Sequence, residues 1–294
     1  MVSLAPTAPI SGSSAATPPV VVGQRVFVAG HSFHIFVADR LPALVASAGI
    51  EGHELAGKQM IGGSSVTQHW NLPDAENVAK ANLTAGAVDV LTLSPNWVVP
   101  DQAVESFVKL GLKHNPRLRI LVQISWPAFD HCEPIVDANQ WVHRDKMIQS
   151  NEERDTRSLD GARAATASVK QIIEKQVAEI NRNVGSDVVH IVPLSDAVLR
   201  LREEIIAGKV PGITRQSELF TDAIGHGKAP IEALATYCNF ASIYQRTPVG
   251  LEDGDAELDR IHPKLRHYLQ SLAWETVARH PLSGLQGNQT LLKN

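Results

Sequence analysis

The sequence predicts an α/β fold: a three-layer α/β/α sandwich around a central, mostly parallel five-stranded sheet. Three observations predict it. Short β-branched apolar runs alternate with longer stretches of helical spacing about five times along the 294 residues. The first such run, Val26 to Ala29, is apolar without interruption, as in a strand buried on both faces. Hydrophobic residues make up 44% and charged residues 20% of the chain, which suits one large globular core.

The elements follow in order. Val26 to Ala29 is read as the first strand, and it runs into Gly30-His31-Ser32. Phe33 to Ala48 carries Phe33, Phe36, Val37, Leu41, Leu44 and Val45 at helical spacing. A second strand begins near His53 and empties into the glycine-rich turn Gly62-Gly63-Ser64-Ser65. Asp74 to Ala87 reads as a helix, and Val88 to Ser94 as the third strand, ending at Pro95-Asn96-Trp97. A helix from about Asp101 to His114 is stopped by Asn115-Pro116. Arg119 to Trp126 is the fourth strand. Ala162 to Val184 is the clearest helix, with Gly185 as its terminator. Val188 to Val192 is the fifth strand, and a helix capped by Ser195 runs to Ala207. Helices Pro230 to Tyr244 and about Pro263 to Val277 complete the chain.

Two segments fall outside this alternation. Residues 1–23 are rich in Ala, Pro, Ser, Thr and Val, and read as a flexible arm ahead of a single domain at 24–294. Such an arm fits a secreted or periplasmic protein whose signal has been removed, or a cytoplasmic protein with a disordered end. Residues 128–158 are polar, of mixed charge and without period; a loop of this length is expected to be a lid insertion over a site.

Several function classes are excluded. The net charge of -4 and the lack of a basic run argue against nucleic acid. No apolar stretch reaches the length of a membrane span. No Cys/His cluster has zinc spacing and no phosphate loop is present, which disfavours a nucleotide-binding α/β protein. The two cysteines, Cys132 and Cys238, are compatible with free thiols or one disulfide.

A serine where a strand turns into a helix lies where open parallel sheets place their chemistry, although serine is equally at home as a helix cap. A nucleophilic Ser32 needs a base, and the base needs an orienting carboxylate. Asp222 and His226 lie in one short loop before a helix. Asp259 and His262 form a rival pair beside an acidic stretch. Donors for an oxyanion would be the Ser32 amide, the Gly63 amide and the Asn96 side chain, each at a different strand end. His31, His34 and His69 could suggest a metal, but no carboxylate partners accompany them. Trp70, Trp97, Trp126 and Trp141 could line an apolar or sugar-binding cleft.

These residues together resemble the SGNH (GDSL-type) hydrolases, over about residues 24 to 280. Gly30-His31-Ser32-Phe33 is similar to the Gly-Asp-Ser-Leu block, with His31 in place of aspartate. Gly62-Gly63 resembles the second block, and Ser94-Pro95-Asn96-Trp97 the third, without its leading glycine and final aspartate. The last block is Asp-x-x-His. Asp222 and His226 are one residue too far apart for it, whereas Asp259 and His262 have its spacing. Asp222 and His226 are preferred, because Gly225-His226, Ala235-Thr-Tyr237 and Pro248-Val-Gly250-Leu251 resemble the late block of a divergent subgroup.

The resemblance implies a flavodoxin-like sheet and a serine esterase without a cofactor. Its catalytic residues would be Ser32, Asp222 and His226, and its oxyanion hole Ser32, Gly63 and Asn96. The substrate would be a small-molecule or carbohydrate ester, an acetylated carbohydrate being one candidate. The altered first and third blocks motivate an alternative, an inactive SGNH-like carbohydrate-binding protein. Nothing in the sequence speaks to oligomeric state.

Overall fold

The computed structural model describes residues 19–131 and 147–285. The expectations for Cys132, for Trp141 and for most of the N-terminal arm lie outside the described residues, as does the middle of the expected lid.

Five strands form one sheet: β1 (Arg25–Gly30), β2 (Glu54–Met60), β3 (Val90–Leu93), β4 (Arg119–Gln123) and β5 (Val189–Val192). Their order is β2-β1-β3-β4-β5, and every neighbouring pair is parallel. The helices are α1 (Val37–Ser47), α2 (Val66–Trp70), α3 (Val78–Thr84), α4 (Ala103–His114), α5 (Asp160–Val184), α6 (Leu194–Ile206), α7 (Ala229–Tyr244) and α8 (Pro263–Arg279).

The three layers follow from the two-residue period of a strand. In β1, Val26 and Val28 point into one core with Leu41, Val198, Phe240 and Leu269, which come from α1, α6, α7 and α8. Phe27 and Ala29 point into the other with Leu83, Phe107 and Val169, from α3, α4 and α5. Strands β3 to β5 divide their side chains in the same way. An uninterrupted apolar strand is therefore stable only with a helical layer on each face. Helix α7 is buried almost all round, as a helix between sheet and outer helices must be. Its Cys238 is a buried free thiol. Among the described residues, no helix is long and apolar enough to cross a membrane.

Some boundaries differ from the sequence reading, for local reasons. Helix α1 starts at Val37 rather than Phe33, because the backbone first turns tightly, with the amides of His34 and Ile35 both donating to His31 O. Ser32 therefore does not cap the helix. The expected helix over 74–87 shortens to α3, whose start is set by the Asn77 side chain accepting from the Lys80 amide. The short α2 was not expected; a capping box between Ser65 and Gln68 starts it. Ser195 lies inside α6, with Pro193 at the N-cap position instead.

The strand order places the site. The connection from β1 leaves to one side and that from β3 to the other, so a crevice opens beyond their carboxyl ends. Ser32 follows β1 and Asn96 follows β3, so both lie at this crevice.

Candidate active site

The loop before α7 is a narrow hairpin. The Thr221 amide donates to His226 O at 2.9 Å, and Phe220 and Gly227 form an antiparallel bridge. This closure sets Asp222 and His226 side by side. Asp222 Oδ1 accepts from the Gly225 and His226 amides at 2.9 and 3.2 Å, which orients the carboxylate. Its Oδ2 lies 2.7 Å from His226 Nδ1. Nδ1 facing a carboxylate carries the imidazole proton, which leaves Nε2 as an acceptor. Ser32 Oγ lies 3.1 Å from Nε2 and is placed to donate to it. Burial pushes the Asp222 carboxyl upward, but the hydrogen bonds from His226 and the two amides outweigh it and hold the group below its usual range.

The rival pair is engaged elsewhere. His262 is exposed at the start of α8, where its Nδ1 accepts from the Lys264 amide. Asp259 faces Arg266 at 3.5 Å. The structure thus brings Asp222 and His226 to Ser32, and not Asp259 and His262.

Gly63 adopts φ +60°, a left-handed turn that glycine takes without penalty. Asn96 Nδ2 donates to Gly63 O at 2.8 Å, so the amide group is fixed across the crevice from Ser32. Ser32, Gly62, Gly63, Asn96 and His226 line one cleft of about 410 Å³ with several apolar side chains.

His31 takes the position next to the serine and turns inward. Its Nδ1 accepts from the Phe33 amide at 3.2 Å, so Nε2 carries the proton and donates to Ser94 Oγ. His34 is deeper: Nδ1 donates to Gln123 Oε1 and Nε2 accepts from Thr92 Oγ1, both at 2.9 Å. His69 accepts from Gln59 and donates to Ser64. Each imidazole is thus satisfied as a neutral group inside the fold. Among the described residues, no group of three or more His, Cys, Asp or Glu side chains is arranged to hold a metal.

Burial lowers the His31 pKa to about 3, and those of His34 and His69 to about 4, from 6.5. The unfolded chain takes up these protons near 6.5, whereas the folded chain resists until they reach the lowered values. The stability they contribute is therefore whole above about pH 6.5 and is lost as the pH falls toward 4. Three such sites give a slope of up to about 4 kcal/mol per pH unit. The urea midpoint is expected to fall steeply between pH 6.5 and 4.5, and a flat profile would refute the assignment of neutral buried imidazoles.

Among the described residues, no tryptophan lines the cleft. Trp97 is buried, donating from Nε1 to Ser125 O at 2.7 Å. Trp70 packs edge-on against Phe107. Trp126 stacks on Phe33 at 4.6 Å and donates from Nε1 to Gly225 O at 2.9 Å. Their apolar faces are worth more to the core than to the surface.

A second support of the Asp222 loop went unnoticed in the sequence. Arg154, fully buried, donates to the carbonyls of Asp222 and Ala223, both at 2.7 Å, and to Asn151 Oδ1. Its Nε lies 3.3 Å from Asp130 Oδ1, and Arg202 grips the same carboxylate at 2.5 and 3.1 Å. Gly225, at φ +100°, passes so close that a Cβ there would sit 3.1 Å from the Arg154 guanidinium. Arg154 occurs in the run Asn151-Glu-Glu-Arg154, which is polar, of mixed charge and without apolar period, and so gives no sign of a buried side chain. The described ends of the expected lid segment therefore support the cleft from below and form part of its wall.

No protein-family model and no curated protein matches the chain. Among solved structures, a DUF4886 family protein from Bacteroides uniformis is similar at 15% identity and a TM-score of 0.53, over 88% of this chain and 95% of that one. A proposed SGNH hydrolase from Slackia heliotrinireducens overlaps at 14% identity and a TM-score of 0.39, over 74% and 97%. WcbI, a polysaccharide biosynthesis enzyme, overlaps at 12% identity and a TM-score of 0.40, over 90% and 92%. The last two overlaps are too loose to bear on the fold. With its five-stranded parallel sheet in the order β2-β1-β3-β4-β5, this chain has the three-layer α/β/α fold, and shares it with the Bacteroides uniformis protein.

Proposed function

We propose that the chain is a serine ester hydrolase. The observation that carries this reading is the continuous hydrogen-bond chain Asp222–His226–Ser32 at the mouth of a cleft. Ser32 Oγ attacks the ester carbonyl while its proton passes to His226 Nε2. The imidazolium that forms is stabilised by Asp222, already held ionised by its amide donors. Negative charge gathers on the carbonyl oxygen, and the Ser32 and Gly63 amides with Asn96 Nδ2 are the donors assigned to it. His226 returns the proton to the departing alkoxide, which leaves acyl-Ser32 and the alcohol. Water then repeats the sequence, with His226 as base, and releases the carboxylic acid.

A hydroxyl made nucleophilic in this way reacts with fluorophosphonates. The native protein is expected to be labelled at Ser32 and to hydrolyse a p-nitrophenyl ester, and Ser32→Ala is expected to lose both. A native protein that shows neither reaction would overturn the reading.

A further inference from the structure

The proposed chemistry leaves the substrate open, and the walls of the cleft bear on it. Among the described residues, no Asp, Glu, Lys or Arg side chain lines the cleft. Beyond the candidate triad and the oxyanion donors, the described lining is His31, Gly62 and the apolar side chains of Phe33, Met60, Ala128, Phe129 and Ile224. Met60, at the end of β2, is 53% exposed, and Ile224, in the loop that carries His226, is 37% exposed. Large apolar side chains left open to water in the wall of a cleft gain free energy of burial when a ligand covers them.

The wall at Phe129 is built with some force. Phe129 and Asp130 adopt φ of +55° and +49°, a region unfavourable for a bulky side chain. The Phe129 amide donates to Ile224 O at 2.9 Å, and its carbonyl accepts from the Ile148 amide at 3.1 Å. The Asp130 carboxylate is pinned by Arg202 and Arg154. The same contacts that impose this backbone keep Phe129 and Ile224 together beside the cleft. Among the described lining residues, the polar side chains are those of His31, Ser32, Asn96 and His226, and the rest of the wall is apolar.

We propose that the cleft binds an aliphatic chain longer than acetyl next to the ester carbonyl, so that the substrate is an uncharged alkyl or acyl ester rather than an acetylated sugar. This rests on the ester-hydrolase reading above. The chain could belong to the acid or to the alcohol, and two substrate series separate them. One varies the acyl group from acetyl to octanoyl on p-nitrophenol; the other varies the alcohol from methyl to octyl in alkyl acetates.

Each methylene that becomes buried raises kcat/KM about fourfold at most. A rise of roughly tenfold or more from acetyl to hexanoyl, or from methyl to hexyl, is expected in one series. Met60→Ser and Ile224→Ser, both at exposed positions, are expected to lower the long-to-short ratio about five- to tenfold. If the shortest ester is best in both series, the chain proposal is overturned while the hydrolase reading stands. If the native protein hydrolyses no ester of either series, the hydrolase reading falls instead. Selectivity is then read from binding to the Ser32→Ala protein: octanoate should raise its melting temperature more than acetate does, and Met60→Ser should remove the difference. Equal responses to the two carboxylates would overturn the proposal.

Discussion

His226→Ala is expected to lower kcat for ester hydrolysis by about 10⁴-fold or more, whereas His262→Ala should leave it within about twofold. The asymmetry follows from reach. A base must lie within hydrogen-bond distance of the proton it takes, and His226 Nε2 is 3.1 Å from Ser32 Oγ. His262 is occupied at the N-terminus of α8. Asp222→Asn should cost roughly 10³- to 10⁴-fold in kcat, because an amide can neither fix the tautomer nor stabilise the imidazolium. Steady-state kinetics on a p-nitrophenyl ester check all three variants. Loss of turnover in His262→Ala with retention in His226→Ala would move the proposed triad to Asp259 and His262.

The second large effect is on stability. Arg154→Met should destabilise the fold by about 3–5 kcal/mol. Charge is not the main reason, since Asp130 keeps Arg202 as a partner at 2.5 Å. The cost arises from the acceptors left behind: the Ala223 carbonyl and the Asn151 side chain each lose the Arg154 donor, and the Asp222 carbonyl is left with the Gly225 amide alone. Each unsatisfied buried acceptor costs roughly 1–3 kcal/mol. For a domain of this size the melting temperature should drop by roughly 10 °C. Arg154→Lys keeps the charge but not the fork, and should recover only part of the loss. A thermal melt unchanged in Arg154→Met would mean that Trp126 and the hairpin bonds alone hold the loop.

The legible parts of the fold were those that depend on burial along one segment. An apolar run such as Val26 to Ala29 has nowhere to go but between two layers. The stripe on α5, with Val169, Ile173, Val177 and Ile180, can face only the sheet. Helix ends were less legible, because they turn on side-chain caps such as Asn77 and on tight turns such as that after Ser32. The sites of Gly63 and Asn96 were legible for a similar reason: in a parallel sheet the loops after the strands gather at one edge.

What the sequence by itself determined is the alternation of buried strands and one-sided helices, and with it the sheet and the edge that holds Ser32. It also set Asp222 beside His226, since four residues in one hairpin cannot stray far. Only the tertiary structure decided which histidine meets the serine, because that contact spans 194 residues. The same holds for His31 facing inward, for Trp70, Trp97 and Trp126 packing away from the cleft and for Arg154 holding the Asp222 loop. In each case the partner is a polar atom or a ring contributed by a distant segment. A one-dimensional pattern records how often a residue is buried, and not which atom it meets there.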